Sequence, residues 1–293
     1  MADGITDIRQ LLAKYGGFRP TTQKENIPYI KLKSQYEADL KAKFSKPVSV
    51  FYMTDTHLKI GLPTNHLRHI GKYIKDTKPD FIIHGGDLWD CESLCHHIPN
   101  WTLKGRTKPS LKKDLDCLYE GVQILTEESG RNDWHMTYGN HDGSWPKLYV
   151  DAHPELYGIA EEGRDEVFKH FGWTTYEFGK YVDFGGVDFI HIPLKAGKPM
   201  GGVNLASGIT RDAIKDTVCG HTHGFAFDRK AKLGNDQWIT SVVGGCTMPE
   251  GYKPDYVVTG TAWWHGVVRL EIYQGKIQDH EAISLPKLEA MYG

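Results

Sequence analysis

Eight side chains in this sequence could together run hydrolytic metal chemistry. They fall in five short motifs: Asp55-Thr56-His57, Gly85-Gly86-Asp87, Gly139-Asn140-His141-Asp142, His191-Ile192-Pro193 and Gly220-His221-Thr222-His223. Asp55, His57, Asp87, Asn140, His191, His221 and His223 supply seven candidate metal ligands, and His141 is one histidine more. A mixed set of carboxylate, imidazole and amide suits a borderline cation such as manganese, iron, zinc or nickel. It does not suit calcium, which takes all-oxygen cages. Seven ligands are the right number for two cations. A pair of cations roughly 3.5–4 Å apart can clamp the attacking and leaving oxygens of an in-line displacement. Each motif alone is weak, since Asn and Asp are common turn residues. Five in this order, each after a strand-like run, are not.

The elements that must position these residues can be read from the apolar pattern. Val48–Met53 is a short β-rich run ending at Asp55, and residues 65–75 look helical. Phe81-Ile82-Ile83 is a second strand, leading into Gly85-Gly86-Asp87. Residues 111–128 carry Leu115, Leu118, Val122 and Leu125 at helical spacing, and Trp134–Thr137 is a third strand. This β-α-β-α-β alternation predicts an α/β domain with buried central strands. In open α/β sheets, sites lie at the carboxyl ends of strands, which is where these motifs fall. The second half is richer in strand: residues 174–178, 180–184, 187–192, 224–230, 238–243 and 263–272, with Tyr273-Gln274-Gly275-Lys276 as a hairpin turn. That predicts a second sheet packed on the first.

The first 46 residues read as a separate helical, basic appendage to a domain spanning 47–293. The segment holds nine basic and five acidic residues, a balance of +4. The plainer reading is a solvated helical cap; the sharper one is a nucleic-acid or partner contact. The whole chain has a formal net charge of −2, so no global basic field advertises nucleic acid. Its five cysteines are odd in number and scattered, which does not make a disulfide framework. No apolar run approaches the roughly 20 residues of a membrane span. The N-terminus lacks a signal peptide's basic start and apolar core. Both points lead to the expectation of a cytoplasmic protein.

The five motifs, from Val48 to His223, resemble those of the calcineurin-like metallophosphoesterase superfamily, and the strand pair from Trp263 is similar to that family's closing strands. The resemblance implies two packed mixed β-sheets flanked by helices, an α/β/β/α sandwich. It implies that Asp55, His57 and His223 hold one divalent cation, that Asn140, His191 and His221 hold the other, and that Asp87 bridges them. Manganese is the first expectation for the pair. A hydroxide bridging the metals would attack phosphorus. His141 would contact the phosphate and assist the leaving oxygen, with Asp142 orienting its imidazole and Asp90 buttressing the Asp87 turn. In the purple phosphatases a tyrosine ligand stands where this chain has Asp90.

The implied activity is that of a metal-dependent phosphoesterase, leaning to a phosphodiesterase on nucleic acid or nucleotide. A phosphomonoesterase or protein phosphatase is the alternative. A non-catalytic scaffold of the same fold would have lost His141 or its ligands, and all are present here. The Gly-Lys-Pro-Met-Gly-Gly run at 197–202 looks like that of phosphoesterases from phage genomes. Three loops remain to shape the pocket. The 91–108 loop, with His97 and Lys104, is a candidate cap. The 143–170 and 195–211 stretches complete the set, and Lys195, Lys198 and Arg211 are candidate phosphate contacts. His84, just before the glycine pair, is a candidate lining residue.

Overall fold

The computed structural model of the protein describes residues 46–293, except 96, 100, 157, 203, 235–236 and 253–260. The expected appendage therefore lies, Lys46 apart, outside the described residues.

Strands β1 (Val48–Met53), β2 (Phe81–His84), β3 (Trp134–Thr137) and β4 (Thr174–Tyr176) pair side by side in parallel. On the other side of β1, β12 (Gly266–Tyr273) and β13 (Lys276–Ser284) add antiparallel, giving a six-stranded sheet. Helices α1 (Asn65–Thr77) and α2 (Leu111–Ser129) are the crossovers between the parallel strands. Ser110 caps α2, its hydroxyl accepting from the Lys113 amide, and left-handed Gly130 ends it. The β12–β13 turn places Gln274 at φ 52° and Gly275 at φ 76°, the positive angles that a tight two-residue hairpin requires.

A second, five-stranded sheet has the order β10-β11-β9-β6-β5. Its strands are β5 (Val182–Phe184), β6 (Val187–Phe189), β9 (Thr217–Cys219), β10 (Phe225–Ala231) and β11 (Trp238–Gly244). A small hairpin, β7 (Leu194–Lys195) with β8 (Lys198–Pro199), stands apart. The strands of the second half are thus divided between the sheets, whereas the sequence suggested one sheet for them all. β4 and β12 go to the first sheet because hydrogen-bonding partners on β3 and β1 are open there, and local pattern does not record which edge a strand joins.

Alternation along β1 shows how the layers form. Phe51 and Met53 face one way, into a core with Leu67, Ile70 and Ile74 of α1 and Leu118, Val122 and Leu125 of α2. Val50 and Tyr52 face the other way, against Val187, Phe189, Val218 and Val242 of the second sheet. Both faces of β1 are buried from Val50 to Met53, which is why that stretch is apolar without a break. The outer face of the second sheet is covered by α5 (Leu205–Asp212), through Leu205 and Ile209 against Ile190, Cys219 and Val243. The result is the α/β/β/α sandwich of mixed sheets. Three further helices are α3 (Trp145–Ala152), α4 (Ile159–His170) and α6 (Leu285–Tyr292). Among the described residues no helix is long and apolar enough to cross a membrane.

Candidate metal centre

All five motifs lie beyond strand ends and converge. β1 delivers Asp55 and His57, β2 delivers Asp87 and β3 delivers Asn140. From the second sheet, β6 delivers His191 and β9 delivers His221 and His223. Five of these residues have left-handed backbone: Asp55 (φ 53°), His57 (φ 50°), Asp87 (φ 52°), His221 (φ 73°) and His223 (φ 60°). That conformation is uncommon for non-glycine residues and concentrates at functional sites. It turns each chain sharply out of its strand so that the side chain faces inward.

Two groups of the expected ligands result, and His57, Asp90 and His141 gather in a third beside them. In the first, one ligand atom each from Asp55, His57 and His223 lies within 4.8 Å of the others. Asp55 Oδ1 is 3.2 Å from His223 Nε2, and the two imidazole Nε2 atoms are 3.3 Å apart. In the second, Asp87, His191 and His221 gather in the same way. His191 Nε2 lies 3.2 Å from His221 Nδ1, 3.2 Å from Asn140 Oδ1 and 3.3 Å from Asp87 Oδ2. Asp87 Oδ2 is also 4.0 Å from His57 Nε2, so it stands between the groups.

The far nitrogens of these rings are tied back. His191 Nδ1 donates to the Gly85 carbonyl at 2.8 Å, and His57 Nδ1 donates to Asp90 Oδ1 at 3.0 Å. Each bond leaves the Nε2 lone pair facing the centre, the tautomer that a metal needs. The Asp55 carboxylate is oriented by the Thr54 hydroxyl (2.6 Å) and the His221 amide (2.9 Å), both on Oδ2. Its other oxygen, Oδ1, is buried and receives no hydrogen bond among the described residues. A buried carboxylate oxygen left this way, amid mixed oxygen and nitrogen donors, fits a divalent cation.

The electrostatics agree. Burial opposes charge on every group here, yet His223 and His57 hold the Asp55 carboxyl well below its ordinary range. Burial likewise acts on His191, but Asp87 and Asp55 hold its pKa up at about 9. His57 is raised against burial by Asp55 and Asp90. The carboxylates that keep these imidazoles protonated, Asp55, Asp87 and Asp90, would draw a cation, which displaces those protons.

His141 stands outside both ligand groups. Its amide donates to Asp87 Oδ1 at 2.8 Å and its Nδ1 to the Asp90 carbonyl at 2.9 Å. Burial holds its pKa down, favouring the neutral ring. The orienting residue is Asp90 and not Asp142. The Asp142 carboxylate accepts from the Trp89 amide (2.8 Å) and the Gly139 amide (3.1 Å), bolting the second motif to the third. Burial, with Asp87 nearby, lifts its pKa to about 6. Its carbonyl accepts from Arg164 Nη1 of α4, a guanidinium 2 % exposed. Asp90 does more than buttress a turn: it holds His57 and His141 together. A carboxylate three residues after Asp87 was visible in the sequence, but its two imidazole partners were not.

Other expectations change. His84 is fully buried, both its ring nitrogens are engaged by Thr56 and the Gly86 amide, and it does not border the cleft beside the centre. Lys195 and Arg211 pair with Asp212, at 2.7 and 2.9 Å, and neither borders the cleft beside the centre. The 91–108 loop does border it, through Cys95, His97, Ile98 and Lys104. This cleft of about 450 Å³ opens onto His57, His141 and His223.

No protein-family model matches the chain, and no curated protein matches it. Among solved structures, the chain is similar to the phosphoesterase Yfce from E. coli, at 15 % identity and a TM-score of 0.36, over 80 % of this chain and 100 % of that one.

Proposed function

We propose that the protein is a metal-dependent phosphoesterase of the calcineurin-like type. The observation that carries this is the convergence of seven ligands from five strand ends, with Asp55 Oδ1 buried and unbonded and His141 beside them. Asp55, His57 and His223 would hold one cation; Asn140, His191 and His221 the other; Asp87 both. When bound, such cations neutralise phosphoryl charge and activate water, and manganese is the first choice for them. Water then adds across the phosphoester: phosphorus keeps the hydroxyl and the leaving oxygen takes a proton. With its Nδ1–H fixed on the Asp90 carbonyl, the neutral His141 ring faces the cleft with Nε2 as an acceptor, placed to take the proton that water gives up and pass it to the leaving oxygen. A phosphodiester of a nucleotide or nucleic acid is the favoured substrate class.

Manganese-dependent hydrolysis of a chromogenic phosphodiester tests the assignment. His141→Ala should cut kcat by about 10²–10⁴ while metal binding persists. Asp87→Asn should lose metal and activity together. No activity on any phosphoester with metals bound would refute it.

A further inference from the structure

The His141 imidazole is held from three directions. Its Nδ1 donates to the Asp90 carbonyl at 2.9 Å. The His57 ring meets it edge-on, with centroids 4.6 Å apart and an interplanar angle of 89°. Against its face lies the indole of Trp145, with ring centroids 3.6 Å apart and an interplanar angle of 30°. The hydrogen bond alone leaves the imidazole free to tilt about the Nδ1–H···O axis, and that tilt carries Nε2 away from the cleft. A flat ring packed on the face opposes it, because stacked aromatic pairs hold a preferred separation.

Trp145 is itself placed by the ligand motif. It opens α3 directly after the Asn140–Ser144 turn, and its amide donates to the Asn140 carbonyl. Pro146 follows it, buried, and its ring fixes φ in the first turn of that helix. Arg164 of α4 holds the turn from behind, donating to the Asp142 carbonyl. His97 of the 91–108 loop meets the indole edge-on at 5.3 Å. One short stretch of chain therefore carries a metal ligand, the proton carrier and the plate against which that carrier rests.

Resting on the phosphoesterase proposal, we infer that Trp145 is a positioning residue: its indole holds the His141 imidazole at the angle that keeps Nε2 on the cleft. It acts through His141 and not on the substrate, since the indole face on that side is taken by the imidazole. Misplacing a reacting group by about 1 Å can cost roughly 10²-fold in rate. Losing the plate should therefore lower kcat and leave KM and metal affinity nearly unchanged.

Kinetics of the manganese-loaded full chain on a chromogenic phosphodiester test this. Trp145→Leu should lower kcat about 10–100-fold, and Trp145→Phe, which keeps an aromatic face, should recover most of it. In a His141→Ala background, Trp145→Leu should lower kcat little further, because residues that act as a unit are not additive. Proton NMR of the metal-free chain gives a readout apart from turnover and needs no Trp145 variant to fold. The indole ring current should shift the His141 imidazole C–H resonances upfield, and His141→Ala identifies them by their loss. The shift should vanish in Trp145→Leu and persist in Trp145→Phe. A rise in KM at unchanged kcat, an equal loss from Trp145→Leu with and without His141, or no upfield shift in the unaltered chain overturns the inference alone. No hydrolysis of any phosphoester by the unaltered, metal-loaded chain refutes the phosphoesterase assignment and this role with it.

Discussion

His84 Nε2 lies 2.8 Å from Thr56 Oγ1, and this contact ties strand β2 to the loop that carries Asp55 and His57. The proton positions follow from the neighbours. The Gly86 amide donates to His84 Nδ1 at 3.2 Å, so that nitrogen carries no hydrogen and Nε2 must be the donor. Thr56 then donates to Thr247 Oγ1 (2.6 Å), which donates to the Thr54 carbonyl (3.0 Å). A protonated His84 would put two hydrogens face to face.

That chain makes the fold sensitive to acid. Burial holds the folded His84 pKa down at about 3. In the unfolded chain it returns to about 6.5, so below that pH the unfolded state binds a proton that the folded state refuses. Stability is fully present above about pH 6.5 and falls as pH drops toward 3. Between about pH 6.5 and 5 the loss is roughly 2 kcal/mol from this residue, at ~1.4 kcal/mol per pH unit. Urea unfolding of the metal-free protein at both pH values, compared with His84→Gln, checks it. The variant should be weaker at neutral pH and should lose less on acidification.

Removing the Asp90 carboxylate should disturb two imidazoles at once. Oδ1 is 3.0 Å from His57 Nδ1 and 3.5 Å from His141 Nδ1. Asp90→Ala is expected to weaken the cation held by His57 by about 10–100-fold, the usual cost of losing such an outer partner. Asp90→Asn keeps an acceptor oxygen and should retain most of the affinity. Metal titration by calorimetry separates the two variants. His141 keeps its bond to the Asp90 carbonyl in both, so a fall in kcat at saturating metal would report the carboxylate's own influence on that ring.

Gly220 is required by closeness. A Cβ built there would sit 2.1 Å from Thr54 Oγ1 and 2.4 Å from Asp55 Oδ2. Gly220→Ala should therefore push Asp55 off its hydroxyl and amide donors and lower metal affinity at least tenfold, by analogy with outer-partner losses of about 10–100-fold. Thermal unfolding with and without manganese is the check. The metal-dependent rise in Tm should shrink far more than the metal-free Tm.

Residues 48–53 and 134–137 form strands with the ends that their sequence suggests, and the helices from Asn65 and Leu111 run one or two residues further than their apolar repeat. These segments are legible because burial dictates their pattern. The seven ligands are legible because they cluster in motifs after strands. What sequence conceals is contact made across loops. Asp90 finds His57 and His141 only once three strand ends are side by side. Asp142 looks like a neighbour for His141 by number, but the turn at residues 140–144 sends its carboxylate back to two amides. Lys195 and Arg211 looked free to meet phosphate until α5 brought Asp212 between them.

The ligand set is divided between the two sheets. Asp55, His57, Asp87 and Asn140 follow strands of one, and His191, His221 and His223 follow strands of the other. The layers meet otherwise through apolar side chains, which resist separation but only weakly resist sliding. Cations at this joint would act as rivets, fixing the lateral register of one layer on the other. Chelation should accordingly quicken amide hydrogen exchange in β6 and β9 more than in β12 and β13, which carry none of the seven candidate ligands at their ends.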